Sequence, residues 1–244
     1  MSELERGRHG VVALGDSLVT GYGLALGGVS SQSWAGWLSW ALADCCTVHA
    51  VNGATTAQVA RDQLPLLVGD YRLGLVCVGA NDLAGMDAAA VGSLLAEICR
   101  DVRRHADIGA VATLPRAIRI PGLSWRQTVL RTERLNELIR LAAAGTGTVL
   151  VDLEEALVGR WSLSPDRQHP TSLGHLEAAK VAAVALDAVG MRFARHLPDT
   201  ADVVVTSIEQ RLYAISARER LRGRWAGALS RRADRAAEMQ AGRR

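Results

Sequence analysis

Val11-Val12-Ala13-Leu14-Gly15-Asp16-Ser17-Leu18-Val19-Thr20-Gly21 is an apolar run that closes on a glycine, with a serine at its exit and a second glycine behind it. If the run is a buried strand, Ser17 lies in the loop just past the strand's carboxyl end, where open α/β sheets bind their ligands. Taken alone, Gly15-Asp16-Ser17 also suits an ordinary turn, with glycine at positive φ and Asp and Ser bonding the backbone. The rest of the chain has to decide between the two.

Short apolar runs recur at 10–14, 46–51, 73–78, 108–113 and 147–151. They are nearly unbroken, as expected of parallel strands covered on both faces. Helical patterns alternate with them at 33–44, 56–68, 87–105, 128–144 and 172–190. The first opens on Ser33 as a cap and carries Trp34, Trp37, Leu38 and Ala41 on one stripe, with Trp40 off it. In 87–105 the apolar side is Val91, Leu94, Leu95, Ile98 and Val102, and the basic end Arg100 to His105 suits a helix C-terminus. The alternation predicts an α/β fold with a parallel sheet of about five strands and helices on both sides.

Leu114 to Thr128, with Pro115, Pro121, Gly122 and Trp125, reads as a long loop of the kind that walls a pocket. Arg116, Arg119 and Arg126 are candidates there to meet an anionic substrate, against the plainer reading of a solvated loop. Tyr22 to Gln32 is a second candidate wall.

Of the 244 residues, 49% are hydrophobic and 22% charged, which suits one α/β domain with an appendage. No window holds the roughly 18 uninterrupted apolar residues of a membrane span. Met1 to His9 mixes charges without an apolar core, so no secretory signal is visible and a cytoplasmic location is expected. Cys45, Cys46, Cys77 and Cys99 show no C-x-x-C spacing, and the last two read as reduced core thiols. Neither G-x-x-x-x-G-K-[ST] nor G-x-G-x-x-G occurs at Gly15, so phosphate binding gains no support. No cofactor or metal is expected.

Charge divides the chain. Residues 201–244 hold 10 Arg against 5 acidic residues, a net of +5, and the remainder carries −2, which together give the formal +3. We therefore expect a domain over 1–198 and a basic helical extension over 199–244, with Ile208, Leu212 and Ile215 on one stripe and Trp225 and Leu229 on another. Packing on the body or pairing into a homodimer is the default role for the extension, and contact with an anionic membrane surface is the alternative. Nucleic acid is not expected as a partner, since the charge is modest and interleaved with acids.

Three further clusters follow strand ends: Val51-Asn52-Gly53-Ala54-Thr55-Thr56, Val78-Gly79-Ala80-Asn81-Asp82, and Ser164 to His175. A parallel sheet brings such ends to one edge. A serine hydroxyl becomes a nucleophile when a base takes its proton, and the base must be held in one tautomer. His169 suits the base, and Asp166 three residues earlier can accept from its other nitrogen. Acyl transfer also builds charge on an oxygen and needs fixed donors; Gly53 N–H, the Asn81 amide and Ser17 N–H are the candidates.

Gly15-Asp16-Ser17-Leu18, Asn52-Gly53-Ala54, Gly79-Ala80-Asn81-Asp82 and Asp166-x-x-His169-Pro170 occur in order, and in these blocks the sequence resembles the GDSL, or SGNH, hydrolase family over about residues 10–190. The resemblance implies a three-layer α/β/α sandwich, flavodoxin-like in outline, and a metal-free esterase. It further implies Ser17 as nucleophile, His169 as base and then acid, Asp166 orienting it, and Ser17, Gly53 and Asn81 as the oxyanion hole. Asp16 and Asp82 are read as structural at the loops, and His175 and His49 as structural or surface histidines. The substrate would be a small-molecule, lipid or carbohydrate ester, or a thioester. Acyl transfer to an alcohol uses the same acyl-enzyme. A non-catalytic binding or scaffold protein acting through its basic tail is the competing class.

Overall fold

Strand β1 (Val11–Gly15) is buried at every residue and pairs in parallel with β2 (Cys46–Val48) on one side and β3 (Tyr71–Cys77) on the other. Strands β4 (Ala106–Ala112) and β5 (Val149–Val151) complete a five-stranded parallel sheet of order β2-β1-β3-β4-β5. These relations come from a computed structural model that describes residues 9–116, 118–201 and 203–220. The strand order reverses between β1 and β3. That makes the crevice beyond their carboxyl ends the place where a ligand site is expected in a doubly wound sheet.

Helices cover the sheet. α2 (Trp34–Leu42) packs with α6 (Ser172–Asp187), while α4 (Ala88–His105) packs with α5 (Trp125–Thr146) and against β3 and β4. Ser33 caps α2, and its side chain accepts the Gly36 N–H; Trp34, Trp37, Leu38 and Ala41 are buried, while Trp40 is half-exposed beneath the Arg195 guanidinium. The four cysteines are free thiols, Cys77 and Cys99 being buried.

Three elements differ from the sequence expectation. The second strand ends at Val48, although His49 N–H and Val51 N–H still follow β1 by donating to Ala13 and Gly15 carbonyls. The stretch 56–68 is three short pieces: α3 (Thr56–Gln58), a π-helical turn (Val59–Gln63) and a 3-10 turn (Leu64–Leu66) that contains Pro65. Finally, α5 begins at Trp125, three residues early, because Ser124 and Gln127 form a capping box. The long loop is correspondingly shorter.

The chain divides into two compact units between Val204 and Val205. Within the described part of the second, 207–220 is helical and carries Ile208, Leu212 and Ile215; Trp225 and Leu229 lie outside the described residues. Among the described residues no helix is long and apolar enough to cross a membrane.

The chain beyond β4 is buried, and its backbone groups need partners there. Asn136 of α5, fully buried, accepts the Leu114 N–H at 2.8 Å and donates to the Leu114 carbonyl at 2.9 Å. Replacing Asn136 with Leu orphans both groups, each at roughly 1–3 kcal/mol. Urea unfolding of the variant is expected to show a loss of about 2–5 kcal/mol; a loss below about 1 kcal/mol would contradict this account.

Candidate active site

β1 ends under tight constraint. Gly15 has φ 142°, and a Cβ there would lie 1.9 Å from the Cys77 carbonyl oxygen, so only glycine lets β1 and β3 close up at this point. The Gln63 side chain then clamps the same residue, accepting the Gly15 N–H and donating to its carbonyl, both at 2.9 Å. Next along the chain, Asp16 caps the short helix α1 (Ser17–Thr20) by accepting the Leu18 N–H, and Gly21 closes it in the left-handed region. Ser17 is thereby placed at the start of α1, just above the end of β1.

The loop after β3 is held from both sides. Asp82 Oδ2 accepts the backbone N–H and the hydroxyl of Thr56, which ties the loop to the one that follows β2. Arg131 reaches from α5 and donates to the Leu83 and Ala84 carbonyls. Asn81 extends its amide to Asp16 Oδ2 at 3.1 Å and to the Ala54 carbonyl at 3.0 Å.

The segment before α6 folds back on itself. Ser164 N–H donates to the His169 carbonyl, Thr171 N–H donates to the Ser162 carbonyl, and Leu163 bridges Pro170 in antiparallel fashion. The Leu24 and Leu26 N–H groups donate to the Ser164 and Ser172 hydroxyls, fastening the Tyr22–Gln32 stretch across this turn. Asp166 Oδ1 accepts the Gln168 and His169 N–H groups, and its Oδ2 lies 2.8 Å from His169 Nδ1. His169 Nε2 lies 2.9 Å from Ser17 Oγ. The Tyr22 ring meets the imidazole edge-on, with centroids 4.6 Å apart.

Environment drives the two carboxyls apart. Burial alone would raise Asp166, but hydrogen bonds from the His169 ring and from the Gln168 and His169 backbone hold it down at about 2. Burial pushes Asp16 up to about 7, with the Leu18 N–H, His169 and Asn81 opposing it and Asp82 adding to it. Burial likewise lowers His175 to about 4, so that imidazole is neutral at physiological pH.

A cavity of about 220 Å³ opens at this point, and Ser17, Leu18, Asn81, Ile118, Ile120 and His169 are among its walls. The structure thus brings Ser17, His169, Asp166 and Asn81 together. Gly53 lines a second hollow with Asn52, Gln58 and Gln63, and Asn52 is joined to the helix of Ser17 by a 2.7 Å bond from the Thr20 hydroxyl. The three arginines do not line the cavity. Arg116 pairs with Glu154 and Glu155, the Arg119 guanidinium lies over Trp125, and Arg126 is exposed on α5. The loop contributes its apolar residues to the cavity instead, because its arginines find acidic and aromatic partners nearby. Gln63 and Arg131 were not among the candidates; neither residue type signals a site in sequence. Among the described residues no cluster of three or more His, Cys, Asp or Glu is placed to hold a metal ion.

A model of the GDSL-like lipase/acylhydrolase family matches residues 13–176, more than half of the chain. Several solved structures share the fold. An extracellular lipase from Streptomyces rimosus is 20% identical with a TM-score of 0.57, covering 72% of this chain and 99% of its own. TesA is 22% identical with a TM-score of 0.61, covering 74% and 99%. The acetylxylan esterase Axe2 from Geobacillus stearothermophilus is 15% identical with a TM-score of 0.56, covering 77% and 96%. Among curated proteins, none matches the chain by sequence.

The depressed Asp166 has a consequence for stability. A carboxyl whose folded value lies below the ordinary 3.8 stabilises the fold above that value and loses the contribution as pH falls toward about 2. Chemical denaturation at several pH values should therefore show wild type losing stability more steeply than Asp166→Asn between pH about 4 and about 2. Parallel curves for the two proteins would contradict the assignment.

Proposed function

The chain belongs to the GDSL-like lipase/acylhydrolase family, and from that premise we propose that it cleaves a carboxylic ester through an acyl-enzyme on Ser17. The observation that carries the proposal is the unbroken hydrogen-bonded series Asp166–His169–Ser17, at 2.8 and 2.9 Å. Such a series gives a serine hydroxyl a base and gives the base a fixed tautomer.

Ser17 Oγ attacks the acyl carbonyl while its proton passes to His169 Nε2. Asp166, ionised across the whole neutral range, accepts from Nδ1–H and stabilises the imidazolium. The charge that develops on the carbonyl oxygen is met by Ser17 N–H, Gly53 N–H and the Asn81 amide. Neither of the two backbone groups donates to another group among the described residues, which leaves them available to a substrate. His169 returns the proton to the leaving alcohol, and water, activated by the same imidazole, then releases the acid. A thioester would follow the same course. In this proposal residues 1–198 carry the chemistry, and the basic extension over 199–244 lies outside it.

The cavity favours short acyl groups, being smaller than the roughly 300 Å³ at which pockets for drug-sized ligands begin. With p-nitrophenyl esters from acetate to laurate, we expect turnover to be highest among the short chains. Ser17→Ala should lower kcat on the order of 10⁴-fold or more. Equal activity of the Ser17→Ala protein would remove the proposal, and a laurate optimum would remove its acyl-length part.

A further inference from the structure

The two ends of an asparagine amide are nearly the same shape, yet one donates and the other accepts. An asparagine that is to stabilise an oxyanion must be held the right way round by its neighbours. Asn81 Nδ2 lies 3.1 Å from Asp16 Oδ2 and 3.0 Å from the Ala54 carbonyl oxygen. The Ala54 carbonyl can only accept, and so can the Asp16 carboxylate when ionised, so it is the NH₂ end that faces them both. The other oxygen of Asp16 is taken by the Leu18 N–H at 2.9 Å. One fully buried carboxyl therefore serves two donors at once: the residue after Ser17 and the amide of Asn81.

We propose that Asp16 is a positioning residue for acyl transfer: its carboxyl group fixes the Asn81 amide with the NH₂ end toward the site where the oxyanion forms. The proposal rests on the hydrolase reading above. Both Asn81 hydrogens are engaged in the resting structure, so an oxyanion must draw one of them away. A bond to a carboxylate is roughly twice as strong as one to a neutral carbonyl. Asn81 accordingly keeps its bond to Asp16 and turns its second hydrogen from the Ala54 carbonyl to the substrate oxygen.

Asp16→Asn separates filling the space from accepting twice, since the replacement has one oxygen where two are needed. If that oxygen serves Leu18, an NH₂ group faces Asn81 and forces its amide over, and the Asn81 carbonyl then faces the Ala54 carbonyl. The test is a double-mutant cycle on the short-chain ester. Asn81→Ala should lower kcat about 10²–10³-fold, the usual effect of losing an oxyanion donor. Asp16→Asn should lower kcat by a similar factor with KM little changed, and the double variant should be no slower than Asn81→Ala alone. Multiplying effects in the double variant, a full kcat in Asp16→Asn, or a change confined to KM would overturn the proposal while leaving the hydrolase reading intact. Absence of Ser17-dependent turnover in wild type would overturn the hydrolase reading and this proposal with it.

Should Asp16→Asn fail to fold, ¹⁵N NMR puts the same question to a chain with Asp16 intact. The titratable groups facing Asp16 are His169, Asp82 and Cys77, the last a buried thiol held well above its ordinary value and so uncharged, and the experiment is run in His169→Ala. The Asn81 side-chain amide pair, identified by its loss on adding Asn81→Ala, should move with pH, with a midpoint at or above about 7. An amide pair unmoved between pH about 5 and about 9 would overturn the proposal.

Discussion

At the end of β1 the chain has almost no freedom. Any side chain on residue 15 would meet the Cys77 carbonyl, and one glutamine side chain grips both the N–H and the C=O of Gly15. This double contact, with the Val51 N–H on the same carbonyl, fixes the direction in which the chain leaves the sheet. Asp16 is driven into the interior as a result, and Ser17 is lifted above the edge. Because β1 and β3 flank the reversal of strand order, the next loop over is the one that carries Asn81. The position of the whole site follows from one glycine and the residue that grips it.

The remaining parts are brought in by hydrogen bonds between segments distant in sequence. Leu24 and Leu26 fasten the turn that carries Asp166 and His169, and Thr56 fastens the Asn81 loop through Asp82. Each tie satisfies backbone or hydroxyl groups that burial would otherwise leave costly. The two buried carboxyls diverge for an identifiable reason. Asp166 collects an imidazole and two backbone N–H groups, whereas Asp16 is more deeply buried and has fewer donors. Carboxyls pushed apart in this way suit different tasks: Asp166 accepts from an imidazole and Asp16 from an amide.

Much of this was legible in the sequence, and the exceptions have physical causes. Unbroken apolar runs located β1, β3 and β4 to within two residues, because strands covered on both faces have no polar side to blur them. The stretch 56–68 read as one helix, since side-chain periodicity does not record that the backbone bonds slip into a π turn at Val59–Gln63. That slip places Gln63, and no local pattern announces it. The proximity of Ser17, Asn81, Asp166 and His169 could be anticipated from their positions after strand ends. The tie that holds the Asn52 turn against Thr20 could not, since no local pattern pairs these two residues. Arg116 of the long loop looked free to bind an anion because its partners, Glu154 and Glu155, are some 40 residues distant in sequence.

The central claim is that His169 and Asp166 make Ser17 a nucleophile. Covalent reaction with a fluorophosphonate, followed by peptide mass mapping, tests it without requiring the natural substrate. The account predicts one adduct, on Ser17, formed by wild type and abolished in His169→Ala. A wild-type protein that takes no label, or one labelled at another residue while Ser17 stays free, would contradict it.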